Sequence, residues 1–385
     1  MIPNEKISYW EQKTFFYDID YIVIGAGIVG YSTALQLKCQ FPDSKIVILE
    51  RGNLPSGASS KNAGFACFGS ATELFSDLQA GSELEVWGTV KKRWEGLQNL
   101  RSLIGDKNLK FEINGSWDLI TDKEIDVFNS TVEQLPYFNQ KLKEITGEEN
   151  VYSIDKRVNG KFGFDSIETS IYNRLEGQID TSEMNTAFYK KVINAGIHIL
   201  FGTEATQINS THSTATVTTG FGDLTAKAVA ICTNGFAAQF VQNEEILPAR
   251  AQVIITKPIK NLHIKGTFHY DAGYYYFRNI DNRILFGGGR NIDLKGETTT
   301  DIRTTSEITE QLEKILKNVI LPNTEFEIDH KWAGIMGVGT SKKPIIKKYN
   351  SSIYCGVRLG GMGVAIGSLI GKELAQLIID DNNSH

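Results

Sequence analysis

The sequence predicts an α/β chain, α+β taken as a whole. A βαβ unit with a parallel sheet opens it, and a second, antiparallel-sheet region is interleaved with the first. Three observations carry that prediction. The apolar run YIVI at 21–24 passes through the glycine turn GAGIVG into a helical stretch and then into a second apolar run, KIVILE at 45–50. Strand-like runs bounded by turn residues dominate 197–231 and 250–290. No internal repeat or low-complexity linker interrupts the chain. A length of 385 residues gives two or three structural units and ample material for a large core.

The elements follow in order from local chemistry. Ser8 and Glu11 form a capping box for a short helix ahead of the first strand. The helix after GAGIVG runs to about Gln40, where Pro42 and Asp43 end it, and KIVILE closes the βαβ unit. Between Ser82 and Ile104, the residues Leu84, Trp87, Trp94, Leu97 and Ile104 mark one face of a long helix that Gly105 stops. The stretch at 111–120 contains Asn114-Gly115 between apolar segments and predicts a hairpin. A helix over 182–195 has Thr181 as its cap and Gly196 as its terminator, and short strands fill 197–231. The run Tyr274-Tyr275-Tyr276-Phe277 alternates faces, placing Tyr274, Tyr276 and Arg278 on one side. A helix carrying Ile308, Leu312, Ile315, Leu316 and Val319 precedes Pro322, and GVRLGGMG feeds a last helix that ends near Ile379.

Composition excludes several classes of function. Forty Lys and Arg against 45 Asp and Glu give a net charge of -5, so no nucleic-acid partner is expected. The four cysteines lie far apart and no signal-peptide pattern is present, which predicts reduced thiols in a cytoplasmic protein. The longest uncharged apolar stretch, Tyr21 to Leu37, is broken by three glycines and predicts a strand and helix, with no transmembrane segment. None of the six histidines has metal or triad spacing, so no metal is expected. His269 alone falls near the expected site and reads as a structural residue.

The chemistry concentrates first in Gly25, Gly27 and Gly30. They have GxGxxG spacing, follow a strand, open a helix, and precede Glu50 at the end of the next strand. Glycine lets the backbone approach a pyrophosphate, the helix N-terminus at Ile28 offers free N–H groups, and Glu50 accepts ribose hydroxyls, with Arg51 beside it. A dinucleotide site follows. The small-residue segment SGASSKNAGF at 56–65 comes shortly after and permits main-chain contact with a flat, polar ligand.

This combination resembles the D-amino-acid oxidase, glycine oxidase and sarcosine oxidase-like flavoproteins, the DAO family of FAD-dependent oxidoreductases. The resemblance implies a Rossmann-like FAD-binding domain over 15–85, 182–236 and 331–385, and a substrate domain over 86–181 and 237–330. It places Ala58 and Ser59 at the phosphates and Asn62, Ala63 and Gly64 beside the isoalloxazine, with Lys61 adding positive charge. LEGQID at 175–180 looks like the family's substrate-side strand, and the Glu204-Ala205 backbone falls where adenine is met. AICTNGF at 230–236 puts Thr233, Asn234 and Gly235 near the cofactor, and LPARAQV resembles the family's PxRGQ strand with Ala251 in place of glycine. Leu359, Gly360, Gly361, Met362, Gly363 and Val364 form the loop whose N–H groups and helix dipole stabilise negative charge on the N1–C2=O edge of reduced flavin. The sarcosine oxidase branch links its flavin to a cysteine where this chain reads Ala333-Gly334-Ile335, so the FAD is expected to be non-covalent.

The pattern departs from glycine-oxidase-like members at two positions. Met336 and Gly361 stand where those relatives carry carboxylate-binding arginines. Arg174, Arg278, Arg290 and Arg358 are the alternative anchors, and Phe65 and Tyr276 are candidate aromatic walls. No catalytic acid–base pair is assigned. The reaction implied is removal of hydride from a carbon next to an amine nitrogen of a small amine or amino-acid derivative, with flavin N5 as acceptor; glycine and simple D-amino acids are expected to be poor substrates. The final electron acceptor, oxygen or a quinone or protein, stays open. A flavin-binding partner protein without turnover and an enzyme acting on a modified tRNA base are the alternatives.

Overall fold

A computed structural model describes residues 7–242 and 244–383. Two large sheets organise them. The first has a parallel centre in the order Ile353–Val357, Gly222–Ile231, Ile19–Ile24, Ile46–Leu49, His198–Leu200. Ile345–Lys348 adds antiparallel to Ile353–Val357, and the strands Ala215–Thr219 and Gln207–Ser210 extend Gly222–Ile231 as an antiparallel ladder. Every residue of Ile46–Leu49 is buried, as a strand covered on both faces requires. The helices Ile28–Gln40, Glu83–Ile104 and Gly363–Asn383 pack together, and all three share a core cluster with strands of this sheet.

The second sheet runs Ile328–Val338, Leu247–Thr256, Arg283–Gly288, Tyr275–Ile280, Thr267–Tyr270, Ser116–Ile120, Thr169–Asn173, Tyr152–Ile154. It is antiparallel except where Thr267–Tyr270 meets Ser116–Ile120. Ile328–Val338 belongs to this sheet and extends past residue 331, where the first region was expected to resume. The alternation in the tyrosine run is as read: Tyr275 and Phe277 are in the aromatic core with Phe268 and Phe286, while Tyr276 and Arg278 face the first sheet's side.

Several elements differ from the sequence reading. The capping box at Ser8 and Glu11 forms, but its α-helix covers only Tyr9–Glu11 before a π-helical turn, Gln12–Phe16. No hairpin forms at 111–120. Glu112 bridges to Gln178, and the chain turns at Gly115 (φ 84°) so that Ser116–Ile120 pairs with Thr169–Asn173 instead. The helix Glu83–Ile104 has Ser82 as its cap, yet Leu84 on its predicted apolar face is 86 % exposed because the first turn projects beyond the core. Thr181 is the first residue of the helix Thr181–Asn194, and Asp180 caps it by accepting from the N–H groups of Ser182 and Glu183. The helices Ala71–Ala80 and Ile125–Thr146 were not anticipated, the second because Pro136 stands inside it.

Candidate active site

The two sheets meet over a cavity of about 560 Å³, within the roughly 300–1,000 Å³ of small-molecule sites. One end is the glycine turn. Gly25 takes φ 108°, and a side chain there would meet the carbonyl of Cys232 at 2.9 Å. Gly30 does not line the cavity; its absent Cβ would lie 1.9 Å from the carbonyl of Gly25, so it serves the close strand–helix crossing. Glu50 ends its strand with a buried carboxylate that accepts from the N–H of Ala26 at 3.1 Å and of Gly52 at 2.9 Å. The Ser59 hydroxyl accepts from the N–H of Ile28 at 3.0 Å, on the first turn of the helix. Negative charge is favoured at that end.

The segment 58–64 runs from this end along the cavity wall. Asn62 braces it: its side-chain oxygen accepts from Gly64 N–H and from the Thr181 hydroxyl, and its amide donates to the Ser59 carbonyl. The indole of Trp332 donates to the Lys61 carbonyl. Thr203, Glu204 and Ala205 line the same end, and Arg51 stacks its guanidinium on Phe236 at 3.8 Å. Thr233 and Asn234 also line it. The Thr233 hydroxyl is shielded from solvent and has no partner, and the Asn234 side chain accepts from Leu359 N–H at 3.2 Å. Gly235 packs behind, where a side chain would meet the Met336 carbonyl at 2.4 Å.

Residues 359–365 close the cavity from the other chain end. Gly360 and Gly361 take positive φ, and Gly360 N–H bonds to the Gly337 carbonyl. Gly363, Val364 and Ala365 begin the last helix, so their N–H groups lack intrahelical partners where they border the cavity.

At the opposite end the walls are aromatic. Phe65 lies edge-on to both Tyr276 and His269, at 5.6 and 5.5 Å between ring centroids, and burial pushes the Tyr276 hydroxyl up to about 12. Met336 is here too. Its sulfur lies 3.3 Å from where a side chain on Gly361 would start, so the two positions read as lost arginines are neighbours in space. Arg290 follows two glycines of positive φ, Gly288 and Gly289, and lines the cavity. Its Nε is shielded and unpartnered, and among the described residues it forms no ion pair. Lys342, by contrast, is held by Glu73 and Asp77.

The other candidate arginines are committed elsewhere. Arg358 is outside the cavity and donates to the carbonyls of Lys343 and Glu245, so it is no substrate contact in this arrangement. Arg174 is tied to Glu148 and the Glu149 carbonyl. Arg278 is buried behind the cavity wall, bonded to the Ala63 carbonyl.

A buried cluster beside the aromatic end escaped the sequence reading. Ligand-type atoms of Cys67, Glu176 and His269 all lie within 4.8 Å of one another. One Glu176 oxygen accepts from the N–H groups of Phe68 and Gly69 at 2.7 and 2.8 Å; the other has no partner, as is true of His269 Nε2. Burial raises the Glu176 carboxyl to about 7, lowers the His269 imidazole and pushes the Cys67 thiol up. The three residues come from separate segments of the chain, and no local pattern joins them.

Comparison with known proteins agrees with this geometry. The family model described as "FAD dependent oxidoreductase" (DAO) matches residues 20–377. Gamma-glutamylputrescine oxidoreductase of Escherichia coli is 23% identical over 380 residues, covering 94% of this chain and 84% of that protein. The crystal structure of L-proline dehydrogenase from P. horikoshii superposes with a TM-score of 0.74 at 20% identity, covering 94% of each chain. Glycine oxidase from Geobacillus kaustophilus gives 0.74 at 18% identity, again over 94% of both.

Proposed function

Because the chain belongs to the DAO family of FAD-dependent oxidoreductases, we propose that it oxidises the C–N bond of a small amine or amino-acid derivative bound between Phe65, Tyr276, Arg290 and Met336. The observation that carries this reading is one continuous cavity, with a dinucleotide-type glycine turn at one end and an aromatic, cation-bearing chamber at the other. The residues present fit FAD. Glu50 offers acceptors for ribose, Ser59 and the Ile28 helix end suit the pyrophosphate, the partnerless Thr233 hydroxyl gains a use, and the 359–365 turn offers N–H donors. When bound, FAD supplies the hydride acceptor.

The chain's own part is to hold the amine and exclude water. Phe65 and Tyr276 supply apolar walls for the substrate's carbon skeleton, and Arg290 supplies a cation that forms no ion pair among the described residues. With Met336 beside Gly361, a carboxylate entering from that side meets no arginine. Glycine and D-alanine are therefore poor substrates, and amines whose anionic group reaches Arg290 are better ones. FAD is dissociable, because Ala333-Gly334-Ile335 offers no thiol for a link. The four cysteines, none in a disulfide, support a cytoplasmic setting.

Anaerobic bleaching of the holoprotein's flavin tests this across primary, secondary and N-methyl amines, with and without carboxylates. Bleaching by a subset of amines is the expected result. No bleaching by any amine, or efficient bleaching by glycine with Arg290→Ala unchanged, overturns the reading. Salt-sensitive RNA binding would favour the nucleic-acid alternative instead.

A further inference from the structure

One fully buried cation has no place in the reaction as described. Arg278 is 2 % exposed and stands two residues beyond Tyr276 on the same strand face. Its Nε donates to the Ala63 carbonyl and its Nη1 to the Asn279 carbonyl at 3.3 Å. The fit extends to Gly64, which takes φ 73°; a side chain there would come within 2.5 Å of Arg278 Nη2 and 2.5 Å of the Ile179 carbonyl. Arg278 thus fastens the substrate sheet to the segment 58–64 at Ala63 and Gly64, both of which line the cavity.

The charge is poorly matched. Buried guanidinium groups are ordinarily paired, and two others in this molecule are. Arg250 meets Glu297, and Arg93 meets Glu73. Among the described residues no carboxylate forms an ion pair with Arg278. Burial lowers its pKa to about 10, with Asp180, Glu112 and Asp281 acting on it only from longer range, so it stays protonated at neutral pH. A cation held by carbonyl dipoles in a shielded site acts over a longer distance than one in water.

We propose that Arg278 is a positioning residue with an electrostatic role: it pins Ala63–Gly64 against FAD and, through its unmatched charge, raises the reduction potential of that FAD. The inference rests on the reading that the flavin ring lies along residues 62–64. Two electrons and one proton convert oxidised flavin to a form with one more negative charge, and a fixed cation behind the Ala63–Gly64 peptide favours that form. The helix end at Gly363 adds the same sign of potential from another part of the chain.

The test uses the full-chain holoprotein and its Arg278→Gln and Arg278→Lys variants. Sulfite is the probe, since its sulfur lone pair adds to flavin N5 and places the same negative charge on the ring without an external reductant. Arg278→Gln should weaken sulfite binding about tenfold, equivalent to about 30 mV for a two-electron couple, and a dye-equilibrated reductive titration should show the potential falling by that amount. Arg278→Lys should stay within about threefold of the parent at pH 7. Unchanged sulfite affinity and potential in Arg278→Gln overturn the inference, and so do equal shifts in both variants that track a common loss of melting temperature. Should Arg278→Gln fail to hold FAD, Arg278→Lys decides alone. A buried lysine loses its proton more readily than arginine, so its sulfite affinity relative to the parent must fall as pH rises; a constant ratio refutes the role. Ala63→Ser separates the underlying reading: a flavin spectrum unmoved by that hydroxyl shows the ring to lie elsewhere, and the inference falls with it.

Discussion

Replacing Glu176 with glutamine should make the protein more stable at pH 8 and change little near pH 4.5. The carboxyl is fully buried, with one oxygen on the Phe68 and Gly69 N–H groups and the other without a partner. Burial moves it from an ordinary 4.5 to about 7. Between those values the folded chain keeps a proton that the unfolded chain has released, so stability falls as pH rises. At about 1.4 kcal/mol per pH unit the loss sums to about 3 kcal/mol; the contribution is complete below 4.5 and gone above about 7. Glutamine keeps an acceptor for both N–H groups and cannot ionise. Urea unfolding of both proteins at pH 5, 6, 7 and 8, compared at equal m, gives the difference directly. Subtraction cancels Asp118, whose burial raises it to about 6 and whose slope has the same sign. A difference that stays flat across this range, or that favours the parent at pH 8, refutes the assignment of Glu176 as a buried acid without a compensating cation.

Three further outcomes are expected. Gly27→Val should abolish FAD retention, because a Cβ at 27 already lies 2.8 Å from the Ser59 hydroxyl at the pyrophosphate end; yellow purified protein would contradict this. Arg290→Ala should lower kcat/KM for the best anionic amine by about thirtyfold, corresponding to about 2 kcal/mol, the lower end for a charge pair losing one partner, with little change for an uncharged amine. Glu297→Ala should lower unfolding stability by about 3–5 kcal/mol, because it strands buried Arg250 and removes the acceptor for Gln252; a thermal melt within 2 °C of the parent would show the network to be dispensable.

What the sequence revealed depended on how local the physical requirement was. Gly25 and Gly30 were legible because a backbone turn and a strand–helix crossing need the absence of a Cβ, and Glu50 because a strand end fixes its position relative to that turn. Met336 and Gly361 were legible as substitutions, but their contact with each other was not, since strand Ile328–Val338 and the 359–365 turn come together only in the fold. Asn114-Gly115 misled because a good hairpin turn was used instead to pass the chain from Gln178 to Thr169–Asn173. Cys67, Glu176 and His269 could not be grouped, and Arg278 could not be told from Arg290: each depends on which sheet face meets the segment 58–73.

The order of strands in the first sheet has a consequence for synthesis in the cell. Ile19–Ile24 pairs with Ile46–Leu49 on one side and with Gly222–Ile231 on the other. At about 5–20 residues per second, Ile231 leaves the ribosome roughly 10–40 s after Leu49. Through that interval Ile19–Ile24, apolar from Tyr21 to Ile24, keeps an open edge, which is a template for pairing with other chains. Ribosome-bound or truncated fragments that end before Gly222 are thus expected to need chaperone cover, and release of the C-terminal segment is what retires the hazard, since Gly363–Asn383 must also settle onto Ile28–Gln40 before that sheet is shielded.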